Sequence, residues 1–181
     1  MKKLAKLTAL LLTGVMLLLL ASCGAAPNPG GNASMTPEET AAKQEIFNAI
    51  NAVRKDKGLS SLQDVPALTQ LEQNWINTFG KAQKTELTGE SIWPFYNEFA
   101  TKRESVPGWE WMRSSFYIKY TDSIRLTCSY KGDSEDFRKW IHEYTTLTDS
   151  STYKNAKGIG IGVTTINDQL YWTYSVYEPK T

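Results

Sequence analysis

The feature that most limits which part of the chain can form the fold is a charge-free apolar run near the N-terminus. It extends from Leu7 to Leu20, follows three lysines and ends just before Cys23. At roughly 14 residues it is shorter than the ~20 residues that a membrane-spanning helix needs. A basic start, an apolar stretch and small residues before a cleavage point are typical of an export signal. We therefore predict that residues 1–22 are a signal peptide and take no part in the fold.

The end of this segment indicates which kind of signal it is. Leu20, Ala21, Ser22 and Cys23 resemble, at every position, the lipobox of bacterial lipoproteins. The resemblance implies that the Cys23 thiol receives a lipid and that the mature protein is anchored in the cell membrane, on its extracytoplasmic face. The alternatives are an uncleaved anchor and an ordinary secretory peptide with an incidental cysteine.

Charge and length narrow the classes of protein further. The export segment holds three of the 20 basic residues and none of the 19 acidic ones, so the remaining chain has a formal charge of about −2. A near-neutral chain lacks the basic footprint of nucleic-acid-binding proteins, and we expect no nucleic-acid partner. Residues 23–35 are rich in Gly, Pro, Ala and Asn, which predicts a flexible tether. Residues 36–181 are long enough for one domain with a core.

Apolar residues at helical spacing predict two helices in the first part of the domain. The first begins at Thr36, which forms a capping-box pattern with Glu39, and it stops at Gly58. The second begins at Pro66 and carries Trp75 on its core-facing side. Polar residues of the second helix are expected on the opposite, solvent-facing side, and these are Gln70, Glu72, Gln73 and Asn77.

Alternating and helical patterns continue in the second part. Residues 123–130 alternate as a strand does, and Asp133 or Ser134 can cap a third helix. The chain closes with residues 158–165 and 169–177, two strands separated by a tight-turn signal, which predicts an antiparallel hairpin.

The segment between residues 85 and 120 is dense in aromatic side chains, prolines and glycines. We expect short irregular pieces there, with residues 116–121 extended. Trp93, Trp109 and Trp111 are candidate ligand-binding residues, because aromatic rings suit sugar rings and flat apolar ligands. The alternative is that they are loop residues packed against the core.

Three glycines alternate in one predicted strand, at Gly158, Gly160 and Gly162. They do not make a dinucleotide-binding loop, because the third glycine of that motif would fall on Val163 and no helix follows. Glycine at alternate positions removes the side chains from one face of a strand, so something must approach that face closely. A packed helix and a ligand are the two candidates.

Cys128 lies on the apolar side of a predicted strand, which indicates a buried small hydrophobic residue. With Cys23 lipidated, Cys128 has no partner in the chain, and we predict no disulfide. A catalytic thiol requires a group that lowers its pKa. The sequence offers none, since His142 is the only histidine and is expected at an exposed position of the third helix.

The order of elements, together with motifs at both ends, resembles the CAP superfamily (cysteine-rich secretory, antigen 5 and pathogenesis-related 1 proteins). The residues that carry the resemblance are Asn51, Arg54, Gly58 and Leu59 near the start, Trp140 in the third helix, and Gly158 to Val163 with Tyr171-Trp172-Thr173 near the end. The resemblance implies an α+β fold, an α-β-α sandwich in which a small antiparallel sheet is flanked by helices.

The chain departs from the family at the central cavity, which in that family usually carries two histidines and two acids able to hold a divalent metal. Neither residues 84–90 nor residues 149–154 contain a histidine. Paired imidazoles are therefore missing, and we expect no metal and no cofactor. Asp122, Ser151 and Thr152 fall where cavity residues would lie and are candidate ligand-binding residues.

The leading interpretation is a lipid-anchored binding module with a degenerate CAP-like domain, whose ligand is a lipid, a cell-wall glycan or a protein. No catalytic residue is predicted. One alternative is a hydrolase that uses carboxylate and hydroxyl groups of Asp122, Ser150, Ser151 and Thr152. Another is a surface scaffold with no small ligand.

Overall fold

The computed structural model describes residues 34–90, 92–115, 117–119, 122–144, 147 and 153–181. These residues belong to one compact unit. The lipidation candidate and three of the cavity candidates lie outside the described residues, and these are Cys23, Ser150, Ser151 and Thr152.

Four helices and eight strands are present in the described residues. In chain order they are α1 Pro37–Asp56, β1 Gln63–Asp64, α2 Pro66–Ala82, β2 Glu86–Thr88, α3 Ile92–Glu104, β3 Trp109–Ser115, β4 Tyr117–Lys119, β5 Ser123–Leu126, β6 Ser129–Tyr130, α4 Glu135–Tyr144, β7 Gly158–Ile166 and β8 Gln169–Pro179. The α+β class predicted from the sequence is confirmed.

Helix α1 begins as its sequence predicts. The Thr36 hydroxyl accepts a hydrogen bond from the Glu39 amide at 3.2 Å, and the Glu39 carboxylate accepts one from the Thr36 amide at 2.9 Å. This reciprocal pair satisfies two amides that a helix start leaves without partners. The helix ends before Gly58, whose φ of 71° is in the left-handed region that favours glycine.

The main sheet has five strands in the order β1-β7-β8-β3, with β6 also paired to β8. Strands β7 and β8 are antiparallel from the pair Gly158 and Tyr177 to the pair Ile166 and Gln169. The predicted hairpin is therefore confirmed.

The expectation of a purely antiparallel sheet is wrong at one edge. The two-residue strand β1 runs parallel to β7. It does so because the link between α1 and α2 passes extended alongside β7, where the Gln63 amide donates to the Lys157 carbonyl at 2.7 Å and the Val65 amide donates to the Ile159 carbonyl at 3.1 Å. The sheet is consequently mixed.

The single strand predicted over residues 123–130 is two strands in two sheets. Strand β5 lies between β2 and β4 in a separate three-stranded sheet, and β6 joins the main sheet. The chain crosses from one sheet to the other at Thr127 and Cys128, and the Cys128 carbonyl accepts a hydrogen bond from the Trp172 amide on β8 at 3.1 Å. The alternation of apolar and polar residues continues through this crossing, so the sequence pattern does not reveal that one strand ends and another begins.

The expectation of irregular structure over residues 85–120 is also wrong. Helix α3 and strand β3 occupy most of this segment. Pro94 stands in the first turn of α3, where its missing amide hydrogen costs no helical hydrogen bond. Strand β3 pairs with β8 along its length, apart from a register shift between Trp111 and Arg113.

Helices cover both faces of the main sheet. On one face, Ile159, Ile161 and Val163 pack in a core cluster with Ile46 of α1 and Ile141 of α4.

On the other face, Gly160 and Gly162 of β7 lie directly beneath α2. A Cβ atom on Gly160 would come within 2.3 Å of the Leu68 carbonyl carbon, and one on Gly162 would come within 2.5 Å of the Glu72 carbonyl oxygen. The close approach predicted for this strand is therefore that of a packed helix.

Arg54 joins α1 to two distant parts of the chain. Its side chain is fully buried, and it donates hydrogen bonds to the carbonyls of Ser60 at 2.9 Å, Leu147 at 2.5 Å and Tyr153 at 3.3 Å. A buried guanidinium must be hydrogen-bonded to be tolerated, and here backbone oxygens accept those bonds. Arg54 thereby holds both ends of the segment between α4 and β7.

Candidate functional site

Of the residues that were predicted to line a cavity, Asp122 lies in the described part of the chain, and it is exposed to solvent. Its backbone carbonyl accepts a hydrogen bond from the Gly89 amide at 2.9 Å, which helps to hold the start of β5 beside the end of β2. Since Ser151 and Thr152 lie outside the described residues, their placement around Asp122 stays a prediction.

The three tryptophan candidates lie in two different clusters. Trp109 and Trp111 are half-buried on β3 and pack against a small core cluster that contains Leu68 and Tyr177. Trp93 is half-buried on α3, where its ring meets that of Tyr96 edge-on with centroids 6.0 Å apart. The structure therefore brings Trp109 and Trp111 together and places Trp93 with other neighbours.

A groove of about 210 Å³ lies between α2 and α3. Phe95 stands at this groove and is 54% exposed, and among the side chains that the structure describes it is the one large hydrophobic side chain that is exposed. Apolar, polar and charged side chains line the groove, and these are Leu71, Asn74, Trp75, Thr78, Lys81, Phe95, Glu98, Phe99 and Lys102.

The aromatic side chains beneath the groove are held rigidly. Trp75 is buried, as its sequence position predicts. Its ring stacks on Phe99 with centroids 5.1 Å apart and planes 15° apart, and it meets Phe79 edge-on at 5.4 Å. Such ring pairs are worth about 0.5–1.5 kcal/mol each beyond the area that they bury. The apolar part of the groove is thus formed in advance of any ligand.

Charged side chains stand at the groove as well. The Lys102 ammonium donates to the Glu98 carboxylate at 2.5 Å across one turn of α3. Both side chains are more than half exposed, so this pair contributes little to stability. Lys81 lines the groove from α2.

A buried acid, Glu72, lies on α2 between the helix and β8. Its side chain is only 1% exposed, and its carboxylate accepts a hydrogen bond from the Ser175 hydroxyl. Burial raises the pKa of Glu72 to about 7, against the lowering effect of hydrogen bonds from Ser175 and Thr173 and of the positive charge of Arg103.

Arg103 is the cationic member of this cluster. It lies on α3 and is 7% exposed. Its guanidinium is 4.2 Å from the centre of the Trp111 ring and 5.5 Å from that of Phe99. The guanidinium therefore packs against two aromatic rings at this buried position.

The Glu72 cluster is closed to substrates, because Glu72, Thr173 and Ser175 are each 1% exposed. An acid that titrates near neutral pH in a closed interior can couple folding to pH, but it cannot touch a reacting molecule. We therefore assign the cluster a structural role and take the α2–α3 groove as the candidate ligand site.

The expectation that Glu72 and Gln73 face solvent is wrong. Gln73 is 2% exposed and exchanges hydrogen bonds with the backbone of Val163 at 2.7 and 2.9 Å. Both residues are buried because the side of α2 that carries them is pressed against the glycine face of β7. The sequence signal for this burial is in β8, where hydroxyl residues, which can hydrogen-bond to polar side chains of α2, alternate with large apolar residues.

Cys128 is 2% exposed, as predicted. Burial raises the pKa of its thiol to about 12, so the reactive thiolate is scarce at neutral pH. His142 is exposed, also as predicted. Within the described parts of the chain, no group of three or more His, Cys, Asp and Glu side chains is arranged to hold a metal ion.

No protein-family model matches the chain, and no curated protein matches it. Among the described residues, none of the helices is both long enough and apolar enough to span a bilayer.

Proposed function

We propose that this protein is a lipid-anchored, extracytoplasmic binding module with a CAP-like domain, and that the α2–α3 groove is its ligand site. The observation that carries the proposal is Phe95, a large apolar side chain more than half exposed above a rigid aromatic layer. Four apolar side chains and five polar or charged ones line the groove, so it offers a ligand both apolar contact and hydrogen-bonding groups.

The arrangement of the motif residues supports the CAP-like part of the proposal. Arg54 and Asn51 have structural roles, the latter through two hydrogen bonds with the Leu62 backbone at 2.8 and 3.1 Å. The glycine strand lies under a helix, and Trp172 is fully buried in the core. The mixed sheet and the second, three-stranded sheet are features of this chain beyond the resemblance.

We prefer binding to hydrolysis and to scaffolding as the function. The hydrolase alternative would use the carboxylate of Asp122 and the hydroxyls of Ser150, Ser151 and Thr152, and since these three hydroxyl residues lie outside the described residues, it stays a prediction. The scaffold alternative assigns no use to the α2–α3 groove or to the exposed Phe95 ring at it.

Replacing Phe95 tests the groove. We expect Phe95→Ser to weaken ligand binding about tenfold or more, because it removes the apolar contact that a ligand would cover. Phe95→Leu keeps an apolar side chain and should bind nearly as well as the wild type. Residues 34–181 would be titrated with lipid vesicles, solubilised peptidoglycan and candidate proteins, with the fluorescence of the tryptophans as the readout. If Phe95→Ser bound the ligands as tightly as Phe95→Leu and the wild type do, the groove would be rejected as the ligand site.

Replacing Cys23 tests the anchor. Cys23→Ala is expected to abolish incorporation of labelled fatty acid and to move the protein from the membrane fraction to the soluble fraction, because it removes the thiol that would carry the lipid. Cys128→Ala serves as the control and should leave both properties unchanged, since Cys128 is buried in the domain. Membrane retention of Cys23→Ala would contradict lipid anchoring.

A further inference from the structure

A second cleft, separate from the α2–α3 groove, lies between α4 and the chain that joins β5 to β6. We propose that this cleft binds a neutral carbohydrate, with one sugar ring packed against the exposed part of the Phe137–Trp140 ring stack. The proposal does not depend on the function of the groove, because different elements form the two sites.

The aromatic wall of this cleft is fixed in place. Phe137 and Trp140 lie one turn apart on α4, and both are only half-buried. Their ring planes are within 12° of each other, with centroids 6.3 Å apart. Each ring meets Trp172 nearly edge-on, Phe137 at 72° and Trp140 at 73°. Because Trp172 is fully buried, the two outer rings rest on the core itself.

The exposed part of an aromatic ring suits the face of a sugar. The axial C–H groups of a pyranose carry partial positive charge, and an aromatic face carries partial negative charge. Rings that are restrained by packing on a buried side chain lose little conformational entropy when a ligand covers them. A flexible aromatic surface would lack this advantage.

The polar lining of the cleft fits hydroxyl groups. It consists of the side chains of Thr127, Ser129, Lys131, Ser134 and Asp136. The Ser134 oxygen accepts the Phe137 amide at 3.1 Å, which leaves its hydroxyl hydrogen for another acceptor. Donors and acceptors are therefore both available to a ligand.

The charge and the hydroxyl groups of the lining favour a neutral glycan over other ligands. The lining has one ammonium and one carboxylate, Lys131 and Asp136, so their formal charges cancel and an ionic ligand gains little. A lipid chain would place methylene groups against three hydroxyls. The cleft measures about 280 Å³, which is slightly below the usual range of about 300–1,000 Å³ for small-molecule sites.

The test uses the trimer of N-acetylglucosamine as a probe and residues 34–181 of the chain. We expect binding by calorimetry, together with a change in tryptophan fluorescence. Asp136→Asn and Thr127→Val should each weaken binding about threefold to tenfold, because the first replaces a charged acceptor by a weaker neutral one and the second removes a hydroxyl, both at exposed positions. Glu143→Gln, an exposed acid on the same helix, is the matched control and should bind as the wild type does.

A variant of the aromatic wall completes the experiment. Trp140→Leu should reduce binding at least tenfold, and circular dichroism would verify that the variant is folded. If it does not fold, the Asp136 and Thr127 variants decide the question. Absence of binding by the wild type would overturn the proposal, and so would binding that only Phe95→Ser weakens, which would place the sugar in the α2–α3 groove.

Discussion

Gly160→Ala is expected to lower the free energy of unfolding by about 3 kcal/mol, the upper end of the usual cost of overpacking a core. The added methyl carbon would lie 2.3 Å from the carbonyl carbon of Leu68 and 2.4 Å from its oxygen. Real Cβ contacts are not this short, so α2 would have to move away from the sheet. Urea denaturation followed by circular dichroism measures the loss.

Gly158→Ala is the matched control in the same strand. Its methyl carbon would meet the ring of Trp109 at 2.5 Å, and a half-buried side chain can rotate where a helix backbone cannot. We expect a loss of about 1 kcal/mol, closer to the lower end for such changes. If Gly160→Ala were as stable as the wild type, or no less stable than Gly158→Ala, the tight seat of α2 on β7 would be contradicted.

The stability of the domain is expected to fall as the pH rises from about 4.5 to about 7, because of Glu72. Its pKa is raised from 4.5 to about 7 by burial. Within this window the folded protein keeps the Glu72 proton and the unfolded chain releases it, so higher pH favours unfolding. A rise of this size corresponds to about 3 kcal/mol, fully present below pH 4.5 and lost above pH 7.

Glu72→Gln isolates this contribution. The glutamine oxygen can still accept the Ser175 hydroxyl, and the side chain is neutral at every pH. Other acids also titrate in this range, so the quantity to compare is the difference in unfolding free energy between wild type and variant, measured by urea titration from pH 4 to pH 8. That difference should shift by about 3 kcal/mol in favour of the variant as the pH rises. Glu98→Gln is the same change at an exposed site and serves as the control, and a flat difference for Glu72→Gln would refute the coupling.

The sequence predicted local structure well wherever a short pattern decides it. The start of α1 depends on Thr36 and Glu39, three residues apart, and both partners were visible in the sequence. The hairpin of β7 and β8 depends on alternation and on one turn. Trp75 and Cys128 were placed in the interior because their neighbours at helical or strand spacing are apolar.

What could not be predicted depends on contacts between distant segments. Helix α3 contains Pro94 and several aromatic residues, so its hydrophobic periodicity is weak. The helix is stabilised by packing against Trp75 of α2. Glu72 is buried because α2 is the helix that covers the glycine face of β7. The sequence of a helix by itself does not specify which strand face the helix will cover. The α2–α3 groove was missed for the same reason, since Phe95 lines it only once α3 has formed.

The three carbonyls that Arg54 binds have a consequence for the order in which the chain can fold. Two of them, those of Leu147 and Tyr153, lie 93 and 99 residues further along the sequence. Closing loops of that length is entropically costly and slow compared with forming a helix. Until those residues arrive, Arg54 keeps its hydrogen bonds to water, and burying it would leave the guanidinium without acceptors. We therefore expect the side of α1 that carries Arg54 to be buried late in folding, after the segment around Leu147 and Tyr153 has reached it.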